Sequence, residues 1–173
     1  MPRRLFAALV LCGIAAFVAQ PAFAQSPSII GTWQMTLIPN TPPSPPTIPI
    51  AGLASFHSDN TAEATGGGVL VGPIPDPVST APLGGPTPAL GYWSPGPGPA
   101  STLFILQFTS LITNENGTLF ATRSFVATVN VNAANNQFSG SYSFTITDTS
   151  GNVIDTGSGT ITGKLIPRIL PPA

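Results

Sequence analysis

Between Gln137 and Asp148 the side chains alternate with a period of two. Phe138, Tyr142, Phe144 and Ile146 fall on one side, and Gln137, Ser139, Ser141, Ser143, Thr145 and Thr147 on the other. Successive residues of an extended strand point to opposite faces, so this stretch is a strand with one greasy face and one wetted face. The same rhythm runs through Thr118 to Val131, where Leu119, Ala121, Phe125, Ala127, Val129 and Val131 share a face with a single charged residue, Arg123. No helical period appears after the first two dozen residues, so no helix is expected to cover such a sheet. An apolar sheet face with no helix to cover it must close on itself or pack on a second sheet.

The connections decide how the strands are joined. Ser101 to Leu111, Thr118 to Val131, Gln137 to Asp148 and Val153 to Ile166 read as four strands, linked by Asn114-Glu115-Asn116-Gly117, by Asn132 to Asn136 and by Thr149-Ser150-Gly151-Asn152. Asn-Gly is a strong hairpin signal, and links this short join only antiparallel neighbours. The final strand places Gly157, Gly159 and Gly163 on one face with Val153, Ile161 and Leu165. Glycines there let the backbone bend sharply or be approached closely, as at the corner of a barrel.

Earlier in the chain, Ile29 to Ile38 sets Trp33, Met35 and Leu37 against Thr32, Gln34 and Thr36, which is a half-buried strand ended by Pro39. Residues 39–49 form a proline-rich loop, stiff because each ring fixes φ and removes an amide donor. Its PxxP spacing reads as a loop rather than as a ligand for SH3 domains. Ile50 to His57 and Thr61 to Thr65 form a hairpin around Ser58-Asp59-Asn60. The stretch 66–100 is a glycine- and proline-rich flap in which regular pairing is not expected, pinned by Val69 to Val71 and Leu90, with Gly91-Tyr92-Trp93 beginning a short strand. The expected fold is all-β: a single antiparallel up-and-down barrel of about eight strands, a number that encloses packed side chains or one small ligand.

The leader fixes the destination. Arg3 and Arg4, an apolar run from Leu5 to Val18 and the small-x-small site Ala22-Phe23-Ala24 make Met1 to Ala24 a signal peptide, leaving residues 25–173 as one exported domain, periplasmic or extracellular. The only cysteine, Cys12, lies in this leader, with Leu11 before it where lipidation requires a small residue. The mature chain therefore has no disulfide, and no further stretch is long and apolar enough for a membrane helix. Its basic residues are Arg123, Lys164 and Arg168, too few for a nucleic-acid surface.

Several short motifs together resemble a known family. Gly31-Thr32-Trp33, Gly91-Tyr92-Trp93, the Asn116-Gly117-Thr118 turn, Phe138-Ser139-Gly140 and the ending from Gly157 to Gly163 resemble secreted bacterial lipocalin-like proteins of the calycin type. The resemblance covers nearly all of the mature chain outside the middle loop. It implies an up-and-down barrel plugged at one end by the first-strand tryptophan, with an arginine from near the last strand lying over that ring. Here Lys164 and Arg168 stand in that region, and Arg123 is the candidate substitute.

The chemistry sought in the sequence narrows the function. His57 is the only histidine, so no histidine cluster can hold zinc, and no metal or cofactor is expected. Ser55 and His57 share a strand face, a pattern also expected by chance in a serine-rich chain. The carboxylates sit mostly at turns, and the glycines from Gly157 onward lack a dinucleotide fingerprint. No catalytic residues are identified. Trp33, Trp93, Arg123, Phe125, Tyr142 and Phe144 are the candidate residues for binding a small hydrophobic ligand, and filling of the barrel is the favoured explanation of the aromatics among them. The leading expectation is an exported, non-enzymatic, lipocalin-like barrel, with the binding of a small hydrophobic ligand as a hypothesis that rests on the strand count and the aromatic inner faces. The alternatives are a barrel-type cyclase or isomerase using Arg123, Tyr142 or His57 as polar handles, and a structural or surface-interaction module. Oligomeric state and ligand identity are not set by these features.

Overall fold

The computed structural model describes residues 27–40, 49–65, 83–98, 101–114 and 116–168. The strands are β1 (Gly31–Pro39), β2 (Ile50–Phe56), β3 (Thr61–Thr65), β4 (Leu83–Pro86), β5 (Ala89–Pro95), β6 (Leu103–Asn114), β7 (Leu119–Val131), β8 (Gln137–Asp148) and β9 (Val153–Leu165). All pairings are antiparallel, in the order β1-β2-β3-β5-β6-β7-β8-β9, and β9 returns to β1 through Leu37↔Ile161 and Met35↔Gly163. Eight strands thus close into an up-and-down barrel, with the short β4 laid beside β6 beyond the end of β5. Residues 1–26 with Cys12, the proline-rich residues 41–48 and the segment 66–82 with Val69 to Val71 lie outside the described residues.

Closure follows from the alternation. Trp33, Met35 and Leu37 on β1, Phe104, Leu106 and Phe108 on β6, and Phe125, Ala127, Val129 and Val131 on β7 are all buried, while Thr32, Gln34, Gln107, Ser124 and Thr128 face outward. The β8–β9 pair shows how the last strands bend. Phe138, Tyr142 and Phe144 lie directly across from Gly163, Gly159 and Gly157, and a Cβ on any of these glycines would run into the ring opposite. Each ring lies over bare backbone, which lets two strands carry large aromatics without overfilling the interior.

The turns are set by short polar side chains. Asn60 adopts a positive φ of 69° while the Asp59 carboxylate accepts hydrogen bonds from the Thr61 amide and hydroxyl. At the β8–β9 turn, Asp148 accepts from the Asn152 side-chain and backbone N–H groups and from Ser150 N. The Asn152 bonds hold the Asp148 carboxyl below the usual carboxylate range. A carboxylate with a depressed folded pKa stabilises above its ordinary titration range and ceases to do so as the pH falls through the folded value. Asp148→Ala is expected to lower the urea midpoint at neutral pH, with the gap to wild type closing as the solution is acidified below that range.

Two expectations about the middle of the chain are corrected. Within the stretch 66–100 regular pairing is expected only from Gly91-Tyr92-Trp93 onward; that strand is present as part of β5, but β5 begins earlier, at Ala89, and β4 precedes it. Its prolines are tolerated where they fall: Pro86 and Pro95 end their strands, and Gly91 allows the Gln107 carbonyl an approach that a Cβ would block. Leu90 does not pin anything, being 64% exposed on the outer face opposite Thr109. On β7, Leu119 does not join the inner face. A register shift between Ile112 and Thr113 separates the pairs Ile112↔Ala121 and Thr113↔Leu119, and Leu119 is exposed.

One end of the barrel is sealed. Trp33 is fully buried, its ring 5.0 Å from Phe138, and its indole Nε1–H donates to the Ile29 carbonyl at 2.7 Å. Ser28 N donates to Asn135 Oδ1 in the β7–β8 turn, so residues 27–30 run across this end as a plug. Trp33→Phe keeps most of the volume but leaves the buried Ile29 carbonyl without its donor. It is expected to cost about 1–3 kcal/mol in chemical denaturation.

Candidate functional site

Arg123 lies on the inner face of β7, paired with Ser110 of β6 on one side and Ile146 of β8 on the other. Its neighbours along β7 belong to different apolar clusters. Phe125 is part of the main core, whereas Ala121 packs with Ile112 and Ile146 in a small second cluster. Ser110 likewise sits between Phe108 of the first cluster and Ile112 of the second. The two residues make a polar layer that interrupts the apolar interior.

This layer is buried. Arg123 is 1% exposed and Ser110 3% exposed, and among the described residues Arg123 Nε, Arg123 Nη1 and Ser110 Oγ have no hydrogen-bond partner. The guanidinium carbon lies 5.4 Å from the centre of the Phe144 ring, so the cation is held against an aromatic face. Burial pushes its pKa down to about 10, and the Asp155 charge partly offsets that fall. Buried polar groups without partners are uncommon, and each requires a physical reason.

Below the polar layer runs a band of rings. Phe125 and Tyr142 stack at 5.2 Å with 20° between their planes, Phe108 meets Phe125 at 6.1 Å, and Phe56 meets Phe108 at 6.2 Å. Burial raises the Tyr142 phenol pKa, keeping the hydroxyl neutral. Beside Phe144 the wall opens, because β1 ends at Pro39 and Asn40 N makes a last bond to Ser158 O. A cleft of about 530 Å³ lies there, lined by Asn40, Ser143, Phe144, Thr145, Thr156, Gly157 and Ser158. Phe144 is common to both features: one contact is the Arg123 guanidinium, the other the cleft.

Four of the six candidate binding residues therefore come together, Arg123, Phe125, Tyr142 and Phe144, and two do not. Trp33 belongs to the sealed end. Trp93 sits near that same end, its Nε1–H donating to the His57 carbonyl at 2.9 Å and its ring 5.8 Å from Phe104. Arg123 does not take the place of the arginine expected over Trp33. It lies eight residues from the end of β7 that reaches Trp33's partner Phe138, roughly 27 Å of extended strand, and stacks on Phe144 instead.

Ser55 turns outward, where its hydroxyl shares a hydrogen bond with Thr32 Oγ1 at 3.0 Å, and His57 is exposed beyond the end of β2. Among the described residues no three His, Cys, Asp or Glu side chains cluster to hold a metal. The residue that sequence reasoning missed is Ser110. Its signal was the run Phe104, Leu106, Phe108, Ser110, Ile112, a lone hydroxyl in an otherwise apolar inner face.

Comparison of the chain with protein-family models, with curated proteins and with solved structures found no match.

Proposed function

We propose that this chain is an exported, lipocalin-like carrier that holds a small, mainly hydrophobic ligand at the end of the barrel opposite Trp33. The observation that carries this reading is the open cleft of about 530 Å³ beside Phe144, a volume within the range of small-molecule sites, in which Phe144 is the aromatic lining residue among hydroxyl and amide side chains and pairs across to Phe125 of the Phe125–Tyr142 stack. The sealed end supports it, because a barrel plugged by Trp33 leaves one mouth for entry. The first twenty-four residues supply the export signal, and the barrel agrees with the fold that the lipocalin resemblance implies.

The test is native mass spectrometry of the protein purified from its host, together with titration of a fluorescent fatty ligand. A co-purifying small molecule, or a saturable signal lost when Phe144→Asp places a charge in the cleft wall, is the expected result. No bound species and no saturation would overturn the proposal.

A further inference from the structure

We infer that the overhanging edge of β9 is a docking site for an extended, basic segment of a partner protein, which adds to the sheet as one more strand. The site goes beyond the carrier reading and stands apart from it, because a small molecule in the cleft meets side chains whereas a docked strand meets backbone. The strands of the barrel are unequal in length. β6, β7, β8 and β9 run for 12 or 13 residues, but β1 runs for 9, and its pairing with β9 ends at Pro39↔Gly159. From Val153 to Gly157, roughly 17 Å of strand, β9 has β8 on one side and, among the described residues, no strand on the other. Parity fixes which groups this edge offers. Asn40 N donates to Ser158 O and Ile166 N to Thr32 O, so the even-numbered residues of β9 turn their amides and carbonyls toward β1. Thr156 keeps that direction past the end of β1. Its amide donates instead to the Oδ1 of its own neighbour, Asp155, at 2.8 Å.

The opposite overhang of the same sheet is covered by a short strand. β6 extends past β5, and there the chain supplies the cover itself: β4, four residues long, pairs through Leu83↔Asn114 and Pro86↔Ile112. The residues that follow β1 are unsuited to do the same for β9. Pro42, Pro43, Pro45, Pro46 and Pro49 have no amide donors, which excludes the stretch 41–49 as a ladder partner. A second copy is disfavoured by charge. The charged side chains of the β8–β9 overhang are Asp148 and Asp155, whereas Lys164 lies across from Gln34 at the Trp33 end, with Arg168 beyond it. Two β9 edges related by a two-fold axis would bring like charges together, and like charges across a strand pair are destabilising. A lysine or arginine is the complement. It would draw the exposed Asp155 carboxylate away from the Thr156 amide, which then donates to a carbonyl of the incoming strand. The register shift beside Ile154 blunts the edge further up, so the pairing centres on Thr156. Room is present there: the cleft of about 530 Å³ has Thr156, Gly157 and Ser158 in its lining, and Val153 and Ile154 stand exposed beside it.

The experiment titrates three capped hexapeptides into the full protein by isothermal titration calorimetry. One alternates valine with threonine around a central lysine, the second replaces that lysine by glutamate, and the third is the lysine peptide N-methylated at every residue. The lysine peptide is expected to bind about 10-fold more tightly than the glutamate peptide, and N-methylation to cost about 10-fold or more, the range that two ladder bonds supply. Hydrogen exchange at the Thr156 amide should slow when the lysine peptide is added. Thr156→Pro removes a donor that faces away from β8, so it should leave the barrel folded and weaken the lysine peptide by about 10-fold or more. Asp155→Asn should bring the lysine and glutamate peptides within about twofold of each other. Equal binding of the N-methylated peptide, or an unchanged Thr156 amide, would show that no ladder forms and overturn the inference even if Thr156→Pro does not fold. Equal binding of the glutamate peptide to wild type would overturn the basic partner. A wild-type dimer in sedimentation that Thr156→Pro dissolves would put a second copy on the edge and overturn the assignment. Slow exchange at Thr156 in Asp155→Ala without peptide would show that the chain covers its own edge, with the same consequence. Failure of every peptide to bind would overturn the docking site and leave the carrier reading, which is tested with small molecules, standing.

Discussion

Methionine in place of Arg123 is expected to make the fold more stable by about 1–3 kcal/mol in urea unfolding, an unusual direction for a change at a fully buried position. Most core substitutions create a cavity or strand a partner. Here the native residue is itself the stranded group: among the described residues Nε and Nη1 have no acceptor, and no carboxylate bonds to them. Methionine fills a similar linear volume, packs against Phe125 and Ile146, and offers the Phe144 ring a sulfur contact in exchange for the cation. The cation–ring contact that is lost is worth about 0.5–2 kcal/mol, less than the desolvation it accompanies.

The pH dependence carries the same sign. Burial lowers the Arg123 pKa to about 10, so at neutral pH the charge is present in both folded and unfolded chains and the penalty is constant. Above pH 10 the folded protein sheds this proton before the unfolded chain does, and wild type gains stability relative to the methionine variant. The advantage of Arg123→Met is therefore expected to be flat from pH 6 to pH 9 and to shrink above pH 10. A loss of stability on substitution at neutral pH would show that the guanidinium is satisfied in the fold.

How far the sequence foretold this varies by region, for physical reasons. β8 and β9 are local in character: period-two alternation and Asn- or Asp-led turns specify them without reference to the rest of the barrel, and their bounds lie where the residues place them. β4 and the start of β5 are not local. Their residues are poor strand formers, and what pairs them is the exposed edge of β6, through Leu83↔Asn114 and Leu90↔Thr109, together with the Thr87 bonds to Leu111. The inner-face position of Arg123 was legible from its place among apolar neighbours, but its depth was not. Depth depends on β6 bringing Ser110 across from it rather than an acid, which alternation along β7 cannot report. The meeting of Phe144 with Arg123 and the separation of Trp93 from both follow from register across β8–β7–β6–β5, a property of closure rather than of any one strand.

Alanine at Gly159 is expected to cost about 3 kcal/mol or more and to loosen the seam that closes the barrel. Gly159 pairs with Tyr142 of β8 on one side and with Pro39 at the end of β1 on the other. A Cβ there would strike the Ile38 carbonyl oxygen and lie 2.7 Å from both Cε1 and Oη of Tyr142. The two other ring-facing glycines of β9 provide the comparison. At Gly157 and Gly163 the clash is with the Phe144 and Phe138 rings alone, and a ring can be trimmed. Phe144→Leu should accordingly recover much of the loss in Gly157→Ala, with a coupling of about 1 kcal/mol or more in a double-mutant cycle. Tyr142→Leu should recover little in Gly159→Ala, because the backbone oxygen of β1 stays where it is and only separation of β1 from β9 relieves it. Equilibrium unfolding measures both cycles, and hydrogen exchange at the Ile38 and Thr160 amides reports whether the seam itself opens. Full rescue of Gly159→Ala by Tyr142→Leu would show that the ring, and not the strand junction, sets the requirement for glycine. Because the cleft begins where Asn40 leaves Ser158, one residue from this position, the seam that closes the barrel also fixes the edge of the proposed binding mouth.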